Sequence, residues 1–280
     1  MKKILLTGGT GFIGRNILPI LRQEYDVDAP GRQLLNVYEK QSVDKWLCEH
    51  SADFLVHCAI ATPANPLDNN QNILESTLRS FAHFKNHEHQ FEKIIYIGSG
   101  AEYGKQNDIS DVSENDIGRI LPADEYGLSK YILNDMARHS ENIVNLRIFG
   151  CYGPFEPARR FIRHAIECCL ENRAVTMRGD CRFSYVFVDD LGKAILCVLN
   201  KKTKFHDYNI VGQSPLLSDL AKTVLLKTGK NLPIEIEKTG TNKEYTGTAK
   251  RFLDEFPHFE FTPLENGIER EISWKTGEIA

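Results

Sequence analysis

The sequence predicts an α/β fold: a doubly wound parallel sheet with a small C-terminal α/β lobe. Three observations predict it. Short apolar runs alternate with longer helical patterns through the first half of the 280 residues, and such alternation builds right-handed βαβ units. Strand candidates such as "KIIYIG" are apolar almost throughout, as strands covered on both faces are. A glycine loop, "TGGTGFIG", joins the first strand to the first helix.

Taken in order, "KKILLTG" reads as a strand and "GRNILPILRQEY" as a helix. "YDVDAP" follows as a strand, "KQSVDKWLCEH" as a helix and "DFLVHCA" as a strand. A helix runs through "NILESTLRSFAHFKNH", then "KIIYIGS" is a strand, "YGLSKYILNDMARHS" a long helix and "IVNLRIFG" a strand. The opening apolar stretch is short and runs into glycines and Arg15 with no cleavage site, so it is a buried strand and not a leader. Beyond residue 152 the pattern is less regular, with prolines at 215, 233, 257 and 263 between charged spacers. The expected division places 1–152 and about 183–200 in the sheet domain, and about 153–182 and 201–280 in the lobe. The last residues, "WKTGEIA", are expected to fray.

The formal charge of −4 gives no support to nucleic-acid or anionic-membrane binding, which would need a basic surface. No apolar run reaches the ~18 residues of a membrane span, so a soluble, cytoplasmic chain is expected. The seven cysteines are odd in number and scattered without C-x-x-C spacing, which fits reduced thiols and not a disulfide or zinc framework. His83 and His87 have i,i+4 spacing, but no acidic or thiol ligand matches it, so no metal is expected.

In the glycine loop, Gly8 permits a tight turn, Gly11 lets a pyrophosphate approach the backbone, and Gly14 lets helix and strand pack closely. The N–H groups at the helix start then bind the anion. This makes the sheet Rossmann-type and the ligand a dinucleotide. NAD sites place an acidic side chain at the end of the second strand, and NADP sites use Arg near the 2′-phosphate. The acidic position falls on Gly31, and Arg32 follows it; Asp28 is too early by alternation. Arg15 opposes the helix dipole, which an anionic partner offsets. NADP is therefore favoured, with NAD the alternative.

"YGLSK" puts Tyr126 and Lys130 four residues apart on one helix face, downstream of Ser99. A phenol has a pKa near 10, and bringing it to about 7 needs roughly 4 kcal/mol. A lysine ammonium ~4 Å away at an effective dielectric of ~20 supplies a term of that size. Tyr126 is then general acid in reduction and base in oxidation, with Ser99 hydrogen-bonding the carbonyl oxygen.

Together "TGGTGFIG", "VHCA", "SGAEYG", "YGLSK", "LRIFGCYGP" and "RFSYVFVDDL" resemble an extended short-chain dehydrogenase/reductase of the NAD(P)-dependent epimerase/dehydratase family. The resemblance implies a cofactor-binding sheet domain, a small substrate lobe, a nucleotide-diphosphate sugar as substrate, and homodimers built on the helices around 72–88 and 126–140. It implies that Lys130 also holds the nicotinamide ribose. Phe12, Ile13, Asn36, Val37, Cys58 and Ala59 are the further expected cofactor contacts, "APGRQLLNV" resembling the corresponding region of fucose-synthase-like reductases.

The resemblance also narrows the reaction. Dehydratases of this family follow the catalytic hydroxyl with Asp-Glu, whereas here Gly100 and Ala101 stand at those places with no titratable group. Ala101 also stands where fucose-synthase-like enzymes carry a cysteine. Glu102 is one residue late and by strand alternation points away. Ketone reduction, alcohol oxidation and 4-epimerisation remain, and the Arg-bearing second strand favours a reductase of a 4-keto-(6-deoxy)sugar, with a 4-epimerase as alternative. Ser99, Gly100, Ala101, Arg160 and Arg182 are the expected substrate contacts, Arg182 at the diphosphate, although Phe183 replaces the family's Asp after it. Arg159 and Arg163 extend the cationic group or form a solvated helix face. Asp189 and Asp190 read as helix caps and structural ligands. A non-sugar carbonyl reductase would share the same three residues, and a non-catalytic nucleotide sensor would not need them.

Overall fold

A computed structural model describes residues 1–60, 72–237 and 242–278. In chain order the sheet domain begins β1 (Lys3–Thr7), α1 (Phe12–Leu21), β2 (Asp26–Asp28), α2 (Lys40–Glu49), β3 (Phe54–His57), α3 (Ile73–Lys85) and β4 (Lys93–Ser99). It continues through β5 (Ile109–Val112), α4 (Glu125–Arg138), β6 (Ile143–Ile148) and β7 (Gly150–Tyr152). Then follow α5 (Phe161–Leu170), β8 (Val175–Met177), β9 (Tyr185–Phe187), α6 (Val188–Leu199), β10 (Asp207–Ile210) and α7 (Leu217–Lys227). The chain closes with β11 (Ile234–Ile236), β12 (Tyr245–Gly247), α8 (Lys250–Glu255) and α9 (Leu264–Thr276).

Six strands form one parallel sheet in the order β10-β6-β4-β3-β1-β2, with Ile4 opposite Val27 and Phe54. Alternation splits each strand between two cores. Ile4, Leu6, Val56 and Ile95 pack with Ile17 and Leu21 of α1 and Leu191 and Ile195 of α6. Leu5, Leu55, Ile94 and Tyr96 face Trp46 of α2, Phe81 and Phe84 of α3, and Leu133 of α4. Polar caps set two helix starts: the Asn72 side chain accepts from Glu75 N–H and Asp124 from Gly127 N–H. Because β2 and β3 flank β1 on opposite sides, the strand order reverses there and leaves a crevice at the strands' C-terminal ends.

A third core unites Ile162 and Ile166 of α5, Leu220 and Val224 of α7, and Ile268 of α9, beside the pair β8–β11. Two expectations need correction. The segment 201–280 is not lobe throughout: β10 is the edge strand of the central sheet, and Phe252 of α8 packs into the core of α1 and α6. Nor does the C-terminal stretch fray at Trp274, because its ring packs on Phe155 at 4.8 Å and Gly277, at φ 81°, caps α9. Residues 279 and 280 lie outside the described residues. All seven cysteines are free thiols, and His87 pairs with Asp44 at 2.8 Å. Among the described residues no helix is long and apolar enough to cross a membrane.

Candidate active site

A cavity of about 1410 Å³ opens at the crevice and runs from the glycine loop to the lobe. Its first end is made of backbone. Gly8 has φ +73°, and a Cβ there would lie 2.7 Å from Ala59 N. A Cβ on Gly14 would lie 2.2 Å from Gly8 O, so the loop closes on α1 only with glycine at both places. Helix α1 starts at Gly11 with no side-chain cap, leaving its first N–H groups to an anion. This cradle fits a dinucleotide pyrophosphate. Gly8, Gly11, Phe12, Ile13, Val37, Cys58 and Ala59 line the cavity. So does Arg32, which lies 5.8 Å from the Tyr38 ring centroid. A Cβ on Gly31 would meet nothing within 4 Å, so this stretch of wall is open and cationic, not acidic.

Two expected cofactor contacts lie elsewhere. Arg15 is off the wall, exposed and stacked 5.2 Å from the Phe155 ring. Asn36 is also off it; its amide donates to Glu39 at 2.7 Å and its carbonyl accepts from Tyr38 N–H, so the side chain closes its own turn. Gly14 lies behind the wall as the packing glycine.

Ser99, Tyr126 and Lys130 come together on the middle of the cavity wall. Ser99 ends β4, and its hydroxyl accepts from Ala101 N–H at 3.2 Å, starting a tight 3-10 turn over 100–103. Lys130 is buried and donates to Ile97 O at 2.5 Å, with its ammonium 4.7 Å from the Tyr96 ring. Burial pulls its pKa down to about 8. Burial likewise pushes Tyr126 above the ordinary phenol value, against the opposing pull of a Ser99 hydrogen bond and of Arg160. In the protein alone desolvation outweighs the groups that would lower this phenol, and one donor of Lys130 goes to the Ile97 carbonyl. Gly100 and Ala101 are buried in the turn and do not line the cavity.

Glu102 does point away from the cavity, but through the 3-10 turn and not through strand alternation. Its carboxylate is fully buried and accepts from Ser99 N–H at 2.8 Å and Arg147 Nε at 2.7 Å. Arg147 continues to Asp207 at 3.2 Å, and Asp207 to Arg251 at 2.7 Å. Sequence reasoning missed this chain of alternating charges. Its visible signal was a polar and a charged residue, Asn145 and Arg147, inside the buried strand "IVNLRI".

Arg159, Arg160, Lys105 and Lys243 also line the cavity. Arg160 donates to Cys151 O at 2.7 Å and stacks 5.4 Å from the Phe12 ring. Glu156 lies beside it, with a carboxyl that burial pushes up to about 8. Arg163 faces inward to Glu167 and Trp274 and is not on the wall. Arg182 is exposed and off the wall as well; its neighbour Phe183 faces in, as alternation along an extended segment requires. Asp190 accepts from Thr262 N–H and Oγ1, both at 2.7 Å, and Asp189 pairs with Arg270; both sit in the first turn of α6, and neither lines the cavity. A residue not anticipated at all is Tyr245 of β12, whose hydroxyl lies 3.5 Å from Ser99 Oγ.

The family model described as the NAD dependent epimerase/dehydratase family matches residues 4–211. GDP-L-colitose synthase of Yersinia pseudotuberculosis is 24% identical over 313 aligned positions, covering 99% of this chain and 98% of that one. The crystal structure of a GDP-L-fucose synthetase from Naegleria fowleri bound to NADP superposes with a TM-score of 0.83 at 14% identity, covering 100% and 96%. A UDP-glucose 4-epimerase of Thermus thermophilus in complex with NAD gives 0.80 at 20% identity, covering 99% and 100%.

Proposed function

The chain belongs to the NAD dependent epimerase/dehydratase family, and from that premise we propose that it is an NADP-dependent reductase of a nucleotide-diphosphate 4-keto-(6-deoxy)sugar. One observation carries the reading. Ser99 and Tyr126 meet on the cavity wall, while the two residues after Ser99 bring no acid or base to it. That arrangement suits interconversion of a ketone and an alcohol and lacks a loop carboxylate for dehydration.

A nicotinamide dinucleotide, when bound, would supply the hydride. Gly8, Gly11 and the start of α1 would hold its pyrophosphate, and Arg32 beside Gly31 would suit the 2′-phosphate of NADP. Ser99 Oγ, its lone pair taken by Ala101 N–H, turns its proton to the substrate carbonyl oxygen. Tyr126, kept protonated by burial, gives its proton to that oxygen as negative charge builds there. Lys130 offers its charge to the ribose hydroxyls and the phenolate left behind. Arg159 and Arg160 take the diphosphate, the role the family resemblance implied for Arg182. Partly exposed Leu74, Leu128 and Ile132 on α3 and α4 support a homodimer across these helices.

The test is a panel of nucleotide 4-keto sugars with NADPH and with NADH, followed by absorbance of the reduced nicotinamide. Consumption of NADPH with one sugar is the expected result. An epimerised product without net cofactor change would replace the reductase by a 4-epimerase, and no turnover of any ketone would overturn both.

A further inference from the structure

Tyr245 reaches the Ser99 wall from β12, which pairs with β5. Its ring is packed between Phe149 at 5.1 Å and Phe183 at 4.8 Å between centroids, and its hydroxyl lines the cavity 3.5 Å from Ser99 Oγ. Good O–H···O bonds are about 2.7–2.8 Å, so these two hydroxyls do not satisfy each other. They are spaced instead to donate to one oxygen about 2.8 Å from each. The same loop that lacks an acid makes the approach possible: a Cβ on Gly100 would lie 2.8 Å from Tyr245 Oη and 2.5 Å from Phe149 Cδ1.

We propose that Tyr245 is a further catalytic residue, donating a hydrogen bond to the same substrate oxygen that Ser99 holds. The inference rests on the ketone–alcohol reading above. In reduction the hydride that a bound reduced nicotinamide would give up, breaking its own C–H bond and becoming oxidised, forms the new C–H bond at the carbonyl carbon, and the C=O π pair moves to oxygen. That oxygen takes its proton from Tyr126, and Tyr245 keeps its own, stabilising the charge before the proton arrives. Burial pushes Tyr245 far above the ordinary phenol value, which suits a permanent donor and not a base.

Tyr245→Phe keeps the ring stack and removes only the hydroxyl. With the ketone found by the panel, kcat is expected to fall about 100-fold, the cost of one oxyanion donor, with KM and NADPH affinity nearly unchanged. A melting temperature equal to that of the unsubstituted protein shows that the variant is intact. Unchanged kcat in Tyr245→Phe, with an active parent enzyme, overturns this role alone. A fall in kcat matched by equal losses of cofactor affinity and melting temperature also overturns it, because the tyrosine is then structural. A parent enzyme inert toward every ketone overturns the underlying reading and this role with it.

Discussion

The two walls of the cavity are built on different principles. The glycine-loop wall is backbone from one short stretch of chain, and its tolerances are set by absent side chains: a methyl group on Gly14 would sit 2.2 Å from a carbonyl oxygen. The wall around Ser99 gathers side chains from four distant segments. Ser99 is held by Glu102, Glu102 by Arg147, and Tyr245 arrives from beyond residue 240. The first wall binds through geometry that any chain with those glycines can adopt. The second depends on a buried charge, which is stable only while its partners stay in place.

Substitutions can break the walls separately. The largest effect is expected for Tyr126→Phe: turnover falls about 10⁴-fold, the upper end for a positioned proton donor, while NADPH titration shows unchanged affinity. Equal turnover would remove the phenol from the mechanism. Next is Arg147→Met, which strips the buried cation from Glu102 and Asp207; about 3 kcal/mol of stability should be lost in urea unfolding. A loss below 1 kcal/mol would mean that the charge chain is not what anchors the Ser99 wall. Gly14→Ala tests the other wall. Overpacking there should cost about 2 kcal/mol and weaken NADPH binding.

The smallest expected effect sharpens the role of burial at Lys130. Its folded pKa of about 8 lies below the ordinary lysine value, so above that pH the unfolded chain binds more protons than the folded one. Stability therefore rises with pH through this window, by about 1 kcal/mol between pH 8 and 9 from this group. The gain should appear as the difference between the parent and Lys130→Met, measured by denaturant unfolding at each pH. Parallel pH curves would show that the ammonium is not desolvated.

What could be read in advance follows from distance along the chain. The glycine loop, Ser99 at a strand end and the Tyr126–Lys130 pair each lie within a single turn or element, where spacing alone dictates geometry. Strands alternating with helices predicted a parallel sheet covered on both faces. Glu102 points away as expected, but because the chain leaves the strand at Ser99 and turns, and Phe183 lines the cavity where the resemblance had put Arg182.

The sequence by itself determined the parallel sheet, the anion-binding loop and the absence of an acid after Ser99, all consequences of local periodicity and of which side chains are missing. Only the tertiary structure decided what fills that absence. Tyr245, the Glu102–Arg147 pair and β10 at the sheet edge are meetings of residues 45 to 146 positions apart. No local pattern encodes such meetings, because they are selected by packing and by the cost of leaving a buried polar group without a partner.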